Sequence, residues 1–355
     1  MTEMAALRLG GFVLTFAPAA LIKSLGRGLL SFPITFFDGS GAFNEDGYRA
    51  HVALQGAAGA GGLFAAGGTG EFFSLTFDEY KRVVRAASEE VPDSLPLLAG
   101  VGYGTNMAIE FAKAAEANGA DGLLVLPPYL VKSEQEGLRR RLTAICRSVG
   151  IGVIAYNRDN AILSAETLDQ VAEACPNLIG LKDGVGDIEL LATLRYRMAD
   201  RLLFIGGMPT AEVHASAAAA IGMTTYSSAI YNFAPETALR FFNALRAGRT
   251  SETDDLMRRF FLPYLALRNR RAGYAVAIVK AGARIAGIDC GPVRSPFLDL
   301  TPEEESRLSV LMEACAMPVR KRSAHSPAPA VPSLPTDDRT SGDSAPGSPP
   351  GARAG

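Results

Sequence analysis

Tryptophan is absent from this 355-residue chain, histidine occurs three times and cysteine four times. The cysteines (Cys146, Cys175, Cys290 and Cys315) lie far apart, and none stands in a CxxC pair. That spacing excludes a dense disulfide framework and fits reduced thiols in a cytoplasmic protein. His51, His214 and His325 have no second histidine or carboxylate at the HExxH interval, so nothing local points to a metal site. A net charge of −2 supplies no basic footprint for nucleic acid or an anionic membrane. Long apolar runs are missing too. Residues 10–22 offer about 13 apolar positions, short of the roughly 20 that a membrane span needs. That segment follows Arg8 and contains Ala17-Pro18-Ala19, as a leader peptide would. Against a leader, Glu3 stands where the basic region belongs, and the run passes into a short helix closed by Gly26. Lysine is scarce, at seven against 28 arginines, which makes the position of each lysine informative.

What the chain does have is core-forming material, with 48% hydrophobic and 20% charged residues. Short apolar runs recur at 29–37, 61–67, 95–101, 121–127, 151–156, 178–182, 202–207 and 223–228. Each is nearly continuous in apolar side chains, as strands buried on both faces are. Amphipathic stretches separate them, several opening on a capping residue: Thr76, Thr105, Ser133 and Ser164. Asn118-Gly119 closes one in the manner of a left-handed cap. Eight strand–helix units predict a (β/α)8 TIM barrel. An open doubly wound sheet is disfavoured because TFFDGSGAFN, after the first strand, lacks the GxGxxG order. The expected organisation is an N-terminal extension with a short helix (1–27), the barrel (28–250), a C-terminal helical appendage (251–317) and a disordered Pro/Ser/Gly/Ala-rich tail (318–355).

Barrel enzymes work at the C-terminal ends of their strands, so the end of each apolar run is where chemistry belongs. Lys182 ends the sixth run, after Leu178-Ile179-Gly180-Leu181, and is expected to face an apolar barrel mouth. Desolvation there disfavours the ammonium and frees the amine to attack a carbonyl. The plainer alternative is a lysine reaching solvent or paired with Asp183. Tyr156 ends the neighbouring fifth run, from which a phenol can shuttle protons; alternatively its ring simply closes the barrel's top layer. After the second run, Gly67-Gly68-Thr69-Gly70-Glu71 offers successive amides and a hydroxyl suited to a carboxylate, or else a plain tight turn. Lys280, in AIVKAGARI, lies on an appendage helix and reads as structural.

At these residues the chain resembles the dihydrodipicolinate synthase/N-acetylneuraminate lyase superfamily of class I aldolases, over roughly Leu21 to Ala316. The carrying segments are GLLSFPIT (28–35), GGTGEFFSLT (67–76), PPYL (127–130), AYNRDNA (155–161), LKDGVGD (181–187), GGMPTAE (206–212), and YAVAIVKAGARIAG with GPVRSP (274–287 and 291–296). The resemblance implies that Lys182 is a Schiff-base lysine, Tyr156 its acid/base partner, and Gly68 and Thr69 the binders of a keto acid's carboxylate. Three departures set the chain apart from the synthases. Gly68 replaces the first of two threonines, Leu130 replaces a tyrosine shared between subunits, and Ala161 replaces a semialdehyde-binding arginine. They fit instead the branch that dehydrates keto-deoxy sugar acids. For that branch the resemblance implies 5-dehydro-4-deoxy-D-glucarate as substrate, loss of water and CO2, no metal or organic cofactor, and a homo-oligomer of two or four chains. Strand-end position suggests Arg158, Asn160 and Ser227 for the substrate's distal carboxylate, with a surface role equally open to Arg158.

Overall fold

The computed structural model describes the backbone of Leu7–Leu9 and Phe12–Leu14 and all of residues 16–319. His325 and the tail from 320 onward lie outside the described residues. The first two strands, β1 (Leu7–Leu9) and β2 (Phe12–Leu14), pair antiparallel. Helix α1 (Pro18–Leu25) starts with proline in its first turn and ends at Gly26. Its Leu21 and Leu25 are fully buried among the residues that fill the barrel interior.

The eight expected strands are all present: β3 (Leu30–Ser31), β4 (Gly62–Ala65), β5 (Leu97–Val101), β6 (Gly122–Val125), β7 (Gly152–Asn157), β8 (Leu178–Asp183), β9 (Leu203–Gly206) and β10 (Thr225–Ser228). They pair in parallel and in sequence order, and β10 closes onto β3. Each is followed by its crossover helix: α2 (Glu45–Ala57), α3 (Phe77–Glu90), α4 (Thr105–Ala117), α5 (Gln135–Arg147), α6 (Ala165–Ala174), α7 (Ile188–Met198), α8 (Glu212–Ala220) and α9 (Pro235–Arg246). The first apolar run contributes only two residues to the ladder, because Pro33 has no amide to donate. Thr76 and Ser164 cap their helices as expected, the former with a full capping box. The caps expected at Thr105 and Ser133 fall one residue away, at Gly104 and Glu134.

Two apolar layers result. Leu30, Phe32, Phe64, Leu98, Leu124, Ile154, Ile179 and Ile205 fill the barrel, and a larger cluster lies between strands and helices. The appendage begins with α10 (Thr250–Leu256), a π-turn (Met257–Phe261) and α11 (Leu262–Arg268) in one run. The π-turn ends two residues before Pro263, which cannot donate to the helix ladder. Helices α12 (Tyr274–Ile285) and α13 (Pro302–Ala314) follow.

Candidate active site

Tyr156 of β7 and Lys182 of β8 are register partners in the parallel ladder, so their side chains leave the sheet on the same face. Lys182 is only 4% exposed, which removes the solvent-reaching alternative. Its Nζ donates to the Gly207 carbonyl at 3.1 Å and lies 4.0 Å from the centre of the Tyr156 ring and 5.1 Å from that of Phe32. The Tyr156 hydroxyl donates to the same carbonyl at 3.0 Å. One backbone oxygen thus holds amine and phenol side by side. Asp183 is not ion-paired with Lys182; its carboxylate accepts the Val185 and Gly186 amides at 3.1 and 3.2 Å.

Glycine is needed where the chain passes this pair. A Cβ at residue 207 would collide with the Lys182 amine and stand 2.5 Å from its Cγ; at residue 184 it would stand 2.7 Å from the Tyr156 ring. Burial holds the Lys182 ammonium below the ordinary lysine range. Burial alone would push the Tyr156 phenol up, but the neighbouring Lys182 and Arg158 cations outweigh it and bring the phenol below its usual range. Both groups thus lose their protons more readily than in water, which suits proton transfer at this site.

The glycine turn after β4 is tightly built. Glu71 and Phe72 donate their amides back to the Gly68 and Gly67 carbonyls at 3.2 and 3.1 Å, and Thr35 Oγ1 donates to the Gly70 carbonyl at 2.6 Å. Ala66 and Glu71, on either side, both sit in the left-handed region, at φ 48° and 55°. Among the described residues the Gly68 and Thr69 amides make no hydrogen bond, and nothing lies within 4 Å of the space a Cβ at Gly68 would fill. An acid group can approach that backbone closely. The turn is held from behind by Lys280 of α12, fully buried, whose Nζ lies 2.7 Å from Glu71 Oε1. The Arg294 amide donates to Glu71 Oε2 at 3.0 Å. The structural reading of Lys280 thus acquires a specific partner.

All seven residues singled out from the sequence line one cavity of about 810 Å³ at the C-terminal end of the strands. They do not present themselves equally. Arg158 donates to the Asp159 carboxylate at 3.1 Å and reaches the Tyr156 hydroxyl at 3.4 Å. The Asn160 amide nitrogen is taken up by the Pro128 and Val131 carbonyls at 3.0 and 2.6 Å, so it secures the loop after β6. Ser227 Oγ donates to the Gly206 carbonyl at 3.4 Å. Gly207 and Arg268, both on the cavity wall, were not identified from sequence. The double glycine at 206–207 was the available signal for the first. A second cavity, of about 200 Å³, lies among Leu191, Ala215, Met223 and Phe242. Among the described residues no cluster of three metal-ligating side chains occurs, and no helix is long and apolar enough to cross a membrane.

Comparison with known proteins agrees with the barrel fold. Solved structures of dihydrodipicolinate synthase from Oceanobacillus iheyensis and Bacillus clausii superpose with TM-scores of 0.78 and 0.77 at 25% and 26% identity. They cover 84% and 83% of this chain and 99% of each of theirs. Sequence relatives are nearer. A protein from Rhizobium rhizogenes named probable 5-dehydro-4-deoxyglucarate dehydratase is 54% identical over 83% of this chain and 98% of its own length. One of the same name from Chelativorans sp. is 53% identical over the same shares. Residues 26–315 match the model of the dihydrodipicolinate synthetase family, and the chain belongs to that family.

Proposed function

We propose that the protein is a 5-dehydro-4-deoxyglucarate dehydratase, a decarboxylating hydro-lyase of sugar-acid catabolism that works through a Schiff base on Lys182. The observation that carries the reading is the buried Lys182 amine, held beside the Tyr156 phenol by one carbonyl. Relatives more than half identical bear the dehydratase's name.

In this reading the substrate's C6 carboxylate lies against the Gly68 and Thr69 amides, with the C5 ketone over the Lys182 amine. Amine and ketone combine to a carbinolamine. Tyr156 carries a proton to the departing hydroxyl, and water leaves the imine. Loss of a C4 proton gives an enamine, which expels the C3 hydroxyl as a second water. The conjugated iminium then accepts the electron pair of the C1–C2 bond as CO2 departs. The dienamine so formed takes up a proton at C4, its C2 enol tautomerises to the aldehyde, and hydrolysis of the iminium consumes one water to release 2,5-dioxopentanoate and free Lys182. The iminium is the electron sink throughout, so the bond changes balance without an oxidant or reductant.

We place the enzyme in the cytoplasm as a homo-oligomer of two or four chains. The exposed apolar side chains of Tyr129, Leu130 and Val131 beside the cavity mouth support self-association.

The test is incubation with 5-dehydro-4-deoxy-D-glucarate, followed by product analysis and borohydride reduction. CO2 with 2,5-dioxopentanoate, and an adduct mapped to Lys182, are expected. Pyruvate as product would mean carbon–carbon cleavage instead. Lys182→Arg should fold and be inactive, because a guanidinium forms no imine; turnover in that variant would refute the mechanism.

A further inference from the structure

The substrate of the proposed reaction is a diacid, and the glycine turn accounts for only one of its carboxylates. We propose that Arg268 binds the other and thereby makes the site selective for diacids, an inference that rests on the functional reading above.

Four cationic side chains line the cavity: Lys132, Arg158, Lys182 and Arg268. Lys182 is the amine that reacts. Lys132 is exposed on a loop, where water screens it. Arg158 already faces Asp159 and the Tyr156 hydroxyl. Arg268 is different. It is the last residue of α11, half-buried, and no carboxylate lies within ion-pair distance of it among the described residues. Its neighbours are neutral: Nη1 donates to Thr210 Oγ1 at 2.7 Å, and Nε and Nη2 donate to Asn269 Oδ1 at 3.1 and 2.9 Å. These contacts fix the guanidinium plane and use three of its five N–H groups, leaving one on each Nη. A carboxylate accepts such a pair end-on. Burial also disfavours the charge, so an anion arriving here is worth more than one at the surface.

The position also predicts how the anchor contributes. The carboxylate at this end is the one that leaves as CO2, and an ion pair stabilises it before that bond breaks. Arg268 therefore favours binding and does not assist the chemical step, which it can only slow. Removing it should raise KM about 10- to 100-fold, the usual worth of charge-assisted hydrogen bonds, and leave kcat unchanged or slightly higher.

The test compares borohydride trapping of three keto acids by the full-length protein. They are the diacid, its analogue with the same keto-acid end and a hydroxymethyl group at the other, and pyruvate, which has no far end. Wild type should trap the diacid in preference to the hydroxymethyl analogue. Arg268→Gln should lose that preference while trapping pyruvate at the wild-type rate. Arg268→Lys, which keeps charge but not the fork, should retain part of the preference, and it carries the test if the glutamine variant does not fold. Full preference in either variant overturns the inference and leaves the dehydratase reading standing, as does an equal loss of pyruvate trapping. Wild-type protein that traps none of the three overturns the dehydratase reading, and this inference with it.

Discussion

Gly207→Ala isolates the geometry on which the Lys182 chemistry depends. The added methyl would collide with the Lys182 amine and stand 2.5 Å from its Cγ and 2.7 Å from the Asp183 carbonyl oxygen. Carbon atoms in ordinary contact lie about 3.5–4.0 Å apart, so the lysine or the start of the 207–211 loop must move by about 1 Å. Overpacking of this kind costs about 1–3 kcal/mol, which for a domain of this size lowers Tm by roughly 2–10 °C. The chemical penalty is larger. A 1 Å misplacement of a reacting group costs about 100-fold, and the carbonyl that aligns amine and phenol moves with it. We expect kcat/KM to fall about 100-fold, measured as CO2 release, with a comparable slowing of pyruvate trapping at Lys182. Gly68→Ala serves as the control for stability, since its methyl meets nothing within 4 Å and should leave Tm unchanged. Wild-type trapping rates in Gly207→Ala would show that the lysine is not confined as described.

Tyr156→Phe should keep substrate affinity and lose about 10²- to 10⁴-fold in kcat, the usual range for a proton-transfer group; undiminished turnover would sink that role. Titrating Lys182 through its ε-carbon NMR shift should give a midpoint below the ordinary lysine value of about 10.4, because burial disfavours the ammonium. In Tyr156→Phe the midpoint should fall further, since the phenolic oxygen is what partly favours the charge; a rise on losing the phenol would contradict this. Lys280→Met leaves the Glu71 carboxylate buried without its counterion and should cost about 3–5 kcal/mol in denaturant unfolding. A double variant with Glu71→Gln should recover much of that loss, and failure to recover it would show that an orphaned carboxylate is not its cause.

The barrel was legible because strands covered on both faces must be apolar throughout, and eight such runs recur at a regular interval. Strand ends then pointed to Lys182 and Tyr156, whose pairing needs only adjacent strands in register. Features set by packing over long separations in the chain were not legible. Asn160 sits where a ligand-facing residue is expected, yet Asp159 turns left-handed at φ 50° and sends the next side chain back to the Pro128 and Val131 carbonyls. Arg268 looks like any basic residue ending a surface helix. Its place on the cavity wall depends on how α11 lies across the barrel mouth, which no local pattern encodes. Lys280 announced itself as structural through its helix, whereas its partner Glu71 could be found only in three dimensions.

The Glu71–Lys280 pair also bears on the order of events during synthesis. The glycine turn proposed to receive the substrate's acid group emerges from the ribosome early, but the cation that holds its shape is made some two hundred residues later. The barrel can close beforehand, since its last strand is complete at Ser228. A nascent chain stalled between those points should thus hold a finished sheet and an unfinished pocket, and competence to bind should arrive only with the penultimate helix.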